Sequence, residues 1–148
     1  MAVTSTPIFA QTPFVKTVTL AAQTACSTRA PTATASTSAA NIIAFVSAST
    51  NGLRIDSIQV NACGTSISTA NAANVVGIWV DDGTTAFLIT EIAVTAVTPS
   101  ATAVAFTTTN TYTLPLNLPA AFTLKVSVGT TTTAAGTALQ VTAFGGAY

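Results

Sequence analysis

The segment AFTLKVSV, residues 121–128, places Phe122, Leu124, Val126 and Val128 on one face of an extended chain and Thr123, Lys125 and Ser127 on the other. That two-residue period is the mark of a half-buried antiparallel strand. It recurs in short runs along the chain, separated by clusters of Gly, Asn, Pro or Thr, and no segment combines a helical period with a credible cap.

Several runs can be placed. FVKTVTL, residues 14–20, alternates, and NIIAFVS, residues 41–47, is a more continuous apolar strand. In TNGLRIDSIQV, residues 50–60, Asn51-Gly52 marks a turn. The parity of Leu53 and Ile55 then slips to Ile58 and Val60 beyond Asp56, which is the signature of a β-bulge. The stretch NVVGIWVDDGTTAFLITEIAV reads as a hairpin turning at Asp81-Asp82-Gly83. Val104 and Phe106 mark a short strand. TYTLPLNLP alternates at Leu114, Leu116 and Leu118, but Pro115 and Pro119 confine it to an edge or a connecting arm. TALQVTAF, with Leu139, Val141 and Ala143 on one face, is expected to form a hairpin with 121–128 across the flexible GTTTTAAG. The low-complexity stretch between residues 21 and 41 has too few bulky groups to pack on itself, so it is either a mobile loop or an arm ordered by a neighbour. The fold class implied is all-β: an antiparallel β-sandwich, jelly-roll-like, of about eight short strands, with a small barrel as the lesser alternative. Residues 1–13 form an N-terminal arm and residues 14–148 a single sandwich domain.

Half of the 148 residues are apolar, enough for one core. Only 5% are charged, against roughly 25% in ordinary soluble proteins. Four basic and four acidic residues cancel, so there is no field to gather nucleic acid or anionic lipid. A surface so poor in charge is weakly protected against self-association, and an oligomer or lattice component is expected. The first sixteen residues lack a basic segment followed by a long apolar run, so no secretory leader is expected. Thr, Ser and Asn interrupt every window long enough to span a membrane, and aromatic residues are too few for a membrane barrel; the chain reads as soluble. Cys26 and Cys63, without CxxC spacing, are read as free thiols.

The chain contains no His, which excludes Ser/His/Asp and Cys/His catalysis and the imidazole-bearing zinc sites. Asp81 and Asp82 are accounted for by the Asp-Gly turn, whose loop is too short to cage calcium. No catalytic residue, metal or cofactor is expected. Glu91 shares the parity of Phe87 and Ile89; either the other parity is the core face or Glu91 pairs with a cation, for which Arg54 is the natural choice. Arg54 and Asp56, two apart on one strand face, fix register or an interface. Trp79 is either core or a contact anchor. Pro7, Ile8, Phe9, Pro13 and Phe14 are apolar residues on a proline-punctuated leader, suited to lying on a neighbour. These five with Arg54, Asp56 and Trp79 are the candidate interface residues.

Taken in order, TNGLRIDSIQV, VVGIWVDDGTTAFLITEIAV, LPAAFTLKVSVGTT and VTAFGGAY, after a leader resembling PIFAQTPFVK, resemble a family of small virion proteins of tailed bacteriophages. The resemblance spans most of the chain outside the Thr/Ala-rich loops. It implies a capsid decoration (cement) protein, made in the host bacterial cytoplasm and carried on the capsid exterior as a homotrimer bound to the major capsid protein. It carries over no catalytic residues. A tail, baseplate or fibre protein needs the same architecture, and a carbohydrate-binding sandwich is a third reading, though one Trp and two Tyr give it little platform.

Overall fold

A computed structural model describes residues 12–34, 41–47, 50–63, 72–98, 100–103, 106–133 and 136–148. Nine strands are described: β1 (Thr12–Leu20), β2 (Thr32–Thr34), β3 (Ile43–Val46), β4 (Leu53–Ala62), β5 (Asn74–Asp81), β6 (Thr85–Val94), β7 (Phe106–Leu118), β8 (Thr123–Val128) and β9 (Leu139–Ala147). They form two antiparallel sheets, one ordered β1-β9-β4-β7 and the other β2-β6-β5-β8-β3. With the three-residue β2 set aside, the remaining eight have the strand order of a jelly roll: only β5 and β6 are joined as a hairpin, and every other connection crosses between sheets. The strand added to the expected eight, β2, comes from the low-complexity stretch.

Period-two alternation sends one set of side chains from each sheet into a shared core. Ile55, Ile58 and Val60 of β4, Leu124, Val126 and Val128 of β8, and Leu139, Val141 and Ala143 of β9 are completely enclosed there. The bulge read from the parity slip is present. Against β9 the pairing passes from Ile55–Gly145 directly to Ser57–Phe144, leaving Asp56 as the extra residue. Opposite β4, the β7 register jumps from Leu116 to Thr111, so Pro115 sits where the ladder is interrupted, on the edge strand that its ring requires. The β7 strand opens at Phe106, while Val104 lies outside the described residues.

One expectation is overturned. The β8 and β9 strands do not form a hairpin, because β8 lies between β5 and β3 in one sheet and β9 between β1 and β4 in the other. Their alternation is real, but each apolar face enters the core from an opposite side. Of the low-complexity stretch, residues 21–34 are tied to the five-stranded sheet, while residues 35–40 lie outside the described residues. The 21–34 backbone bonds to the outer side of the five-stranded sheet, with Cys26 N–H donating to the carbonyl of Val128 at 2.7 Å and Leu88 N–H to that of Pro31 at 2.9 Å.

Two glycines carry specific tasks. Gly145 of β9 faces Ile55 at the bulge, where a Cβ would overlap the carbonyl oxygen of Arg54. Gly83 adopts φ 94° at the tip of the β5–β6 turn, in open space. Gly145→Ala is therefore expected to destabilise by about 2–3 kcal/mol through overpacking, and Gly83→Ala by about 1 kcal/mol through backbone strain alone. Urea unfolding of the two variants checks the order; a Gly145→Ala cost below that of Gly83→Ala would contradict the close approach at the bulge.

Candidate interaction surfaces

With few charges in the chain, each one's position is informative. Asp81, at the end of β5, is 2% exposed, and its Oδ2 accepts a hydrogen bond from Lys125 Nζ at 2.6 Å, the lysine itself only 13% exposed. Its Oδ1 accepts from Gly83 N–H at 2.6 Å. The same carboxylate thus ties β8 to β5 and starts the hairpin turn. The neighbouring Asp82 completes that turn, its Oδ1 accepting from the backbone N–H of Thr84 at 2.8 Å and of Thr85 at 2.7 Å. Those two donors hold the Asp82 carboxyl below its usual range. Both aspartates therefore serve the hairpin, as the Asp-Gly signal indicated.

Glu91 does not pair with Arg54. Arg29, from the strap laid over the outer sheet face, donates to Glu91 Oε1 from Nε at 2.9 Å and from Nη2 at 2.6 Å. The other parity of β6 supplies the core, through Ile92 and Val94. A bulge explains the switch: Trp79 pairs with Leu88 and Ile78 with Thr90, so Ile89 is skipped and the faces exchange along the strand. Arg54 instead donates from Nε to Asp56 Oδ1 at 2.7 Å, across the bulge of its own strand. Both of these pairs are solvent-exposed.

Trp79 is 1% exposed, in a second apolar cluster with Ile42 and Ala86 between the sheet and the strap. Its Nε1 donates to Ser127 Oγ at 2.8 Å, which satisfies the buried indole. It presents no surface to a partner in this arrangement. Pro13 and Phe14 belong to β1, opposite Gly146 and Gly145, with Phe14 packed against the main core. Pro7, Ile8 and Phe9 lie outside the described residues.

Sequence reasoning passed over the feature that the fold makes most evident. The edge strands β1 and β3 hold open a cleft of about 550 Å³, walled by Phe14, Phe45, Val46 and Leu53, with Lys16 and the hydroxyl of Thr50 among its polar lining. Lys16 has no ion pair among the described residues, and inward-facing charge on an edge strand discourages unwanted strand addition. The signal was available in FVKTVTL, where Lys16 shares the parity of Phe14, Val18 and Leu20. Among the described residues, the large apolar side chains left exposed are Val15 at 62%, Phe87 at 40% and Ile89 at 39%.

Cys26 and Cys63 are free, and burial pushes the Cys63 thiol up. Among the described residues no group of three or more His, Cys, Asp or Glu is placed to hold a metal ion, and no helix is long and apolar enough to cross a membrane. The chain matches no family model, and no curated protein or solved structure is found similar to it.

Removing one partner of an enclosed ion pair strands the other charge, whereas an exposed pair contributes little. Lys125→Met is expected to cost about 3–5 kcal/mol, and Arg29→Met or Arg54→Met less than about 1 kcal/mol. Chemical denaturation of the three variants distinguishes them, and equal losses would refute the assignment of Asp81–Lys125 as the structural pair.

Proposed function

We propose that this chain is a structural virion protein of a tailed bacteriophage, a capsid decoration protein that binds the lattice of the major capsid protein and stabilises the head. The observation that carries the reading is how its interactions are distributed. Six of the eight charged side chains are paired within the chain, while an open cleft of mixed apolar and polar lining and exposed Val15, Phe87 and Ile89 remain for outside contacts. Such a surface is suited to protein contacts and gives DNA or small anions little to hold. The order of sequence stretches resembling small phage virion proteins supports the same reading.

In this account the protein works as a clamp. Each copy that bridges neighbouring capsid subunits removes apolar area from water, worth about 25 cal/mol per Å², and many copies on one lattice together oppose the outward pressure of packaged DNA. Net neutrality lets copies sit close together without repulsion. The carbohydrate-binding alternative is weakened, since Trp79, the widest aromatic surface in the chain, is enclosed.

The test is co-sedimentation of the purified chain with mature heads lacking it, beside unexpanded procapsids and isolated tails. Saturable binding to mature heads alone is the expected result. Binding to tails would move the protein to the tail or baseplate, and binding to none of the three would overturn the virion reading.

A further inference from the structure

We infer that the chain docks through the outer face of its four-stranded sheet, against an uncharged patch of protein on the capsid lattice; the inference rests on the proposed virion role and names the surface that serves it. The strand register sets uncharged side chains in rows across β1, β9 and β4. Val15 lies beside Phe144 and Phe144 beside Ser57, while Thr17 lies beside Thr142 and Thr142 beside Gln59. The opposite parity of the same strands, with Leu20, Val141 and Val60, fills the core, so these six point outward. None of them is charged. Val15, at 62%, is the most exposed large apolar side chain among the described residues, and it forms an apolar corner with Phe144.

The two sheets differ in what lies over them. The five-stranded sheet carries the 21–34 strap across its outer side, bonded to Val128 and Leu88 and covering Trp79. Among the described residues no such strap is hydrogen-bonded across the four-stranded sheet, where Thr17 and Thr142 share a hydroxyl–hydroxyl bond at 3.3 Å within the face itself. Charge is placed around this face and not on it. Lys16 alternates to the other side of β1, Asp81–Lys125 and Arg29–Glu91 belong to the five-stranded sheet, and Asp82 lies in the β5–β6 turn. Arg54 and Asp56, at one end of the face, neutralise each other at 2.7 Å. A surface free of charge at its centre, with ions at its margin, has the composition of an interface core and rim. It also selects its partner. A charged group pressed onto it would lose hydration with no counter-charge to replace it, whereas neutral amide, hydroxyl and apolar groups can exchange hydrogen bonds with Thr17, Ser57 and Gln59 and cover Val15 and Phe144. Short side chains on a paired sheet lose little rotamer freedom when they are covered.

The test measures binding of the full chain to mature heads lacking it, at low and at high salt. The native protein is compared with Val15→Asp and Thr17→Lys on this face and with Ile89→Asp on the other sheet. All three positions are exposed, and circular dichroism verifies the fold of each variant. Val15→Asp and Thr17→Lys are each expected to weaken binding about tenfold, Ile89→Asp to leave it unchanged, and salt to have little effect on the native contact. Native binding that both face variants retain, loss in Ile89→Asp alone, or a steep fall in affinity with salt would overturn the docking surface and leave the virion reading standing. Failure of the native chain to bind heads would overturn both. Retention of the native chain on a neutral polysaccharide gel, abolished by the same two face variants, would assign the face to a glycan and overturn the proposal.

Discussion

The architecture depends on the insertion of β9 between β1 and β4. Its register pairs Ala147 with Thr12 on one side and Leu53 on the other, so the end of the chain locks against its first described residue and against the start of β4. The insertion requires two things of the sequence. Leu139, Val141 and Ala143 must share one face to enter the core, and the residue opposite the β4 bulge must have no side chain, a place filled by Gly145. The terminal Tyr148 then returns its N–H to the carbonyl of Gly52 and its hydroxyl to Asn117, linking both neighbours of that corner. Because β1 and β9 are almost a full chain length apart, this closure is non-local, and the loop-closure entropy it must overcome belongs to a slow-folding topology.

Charge follows a related logic. A β-sandwich with this little charge cannot rely on a solvated ionic surface for solubility, and most of its ions are assigned to internal tasks. Asp81–Lys125 ties neighbouring strands, Arg29–Glu91 fastens the strap over Trp79, and Arg54–Asp56 spans the bulge beside Gly145. Arg29–Glu91, Arg54–Asp56, Lys16 and Asp82 lie at the surface, and only Asp81–Lys125 is enclosed. The carboxylates of Asp56, Asp81, Asp82 and Glu91 are all engaged in ion pairs or turn hydrogen bonds.

Local features were legible in the sequence wherever periodicity and turn chemistry acted alone. The parity slip at Asp56 located a bulge, Asp-Gly located the one hairpin, and Pro115 placed its strand at an edge. What failed were inferences about which strands meet. GTTTTAAG looks the same whether the chain turns back within a sheet or crosses to the other, so the sequence does not reveal that β8 and β9 lie in different sheets. Glu91 was matched to the wrong arginine because Arg29 lies in a segment of small residues that gives no periodic signal; the segment is ordered by hydrogen bonds to the sheet and by burial of Ile42 and Trp79 beneath it. Lys16 was overlooked because the cleft around it exists only when β1 and β3, from different sheets, come together.

If β9 is the closing element, its backbone amides must be among the last to exchange with solvent. Native-state hydrogen exchange of the full chain, resolved to single amides, measures this directly. Core amides of β9, between Leu139 and Gly145, are predicted to exchange only through global unfolding, with the same opening free energy as those of β4 and β5. Exchange of β9 through a separate, lower-energy opening that leaves β4 and β5 protected would contradict the account, because the sandwich would then stand without the strand said to close it.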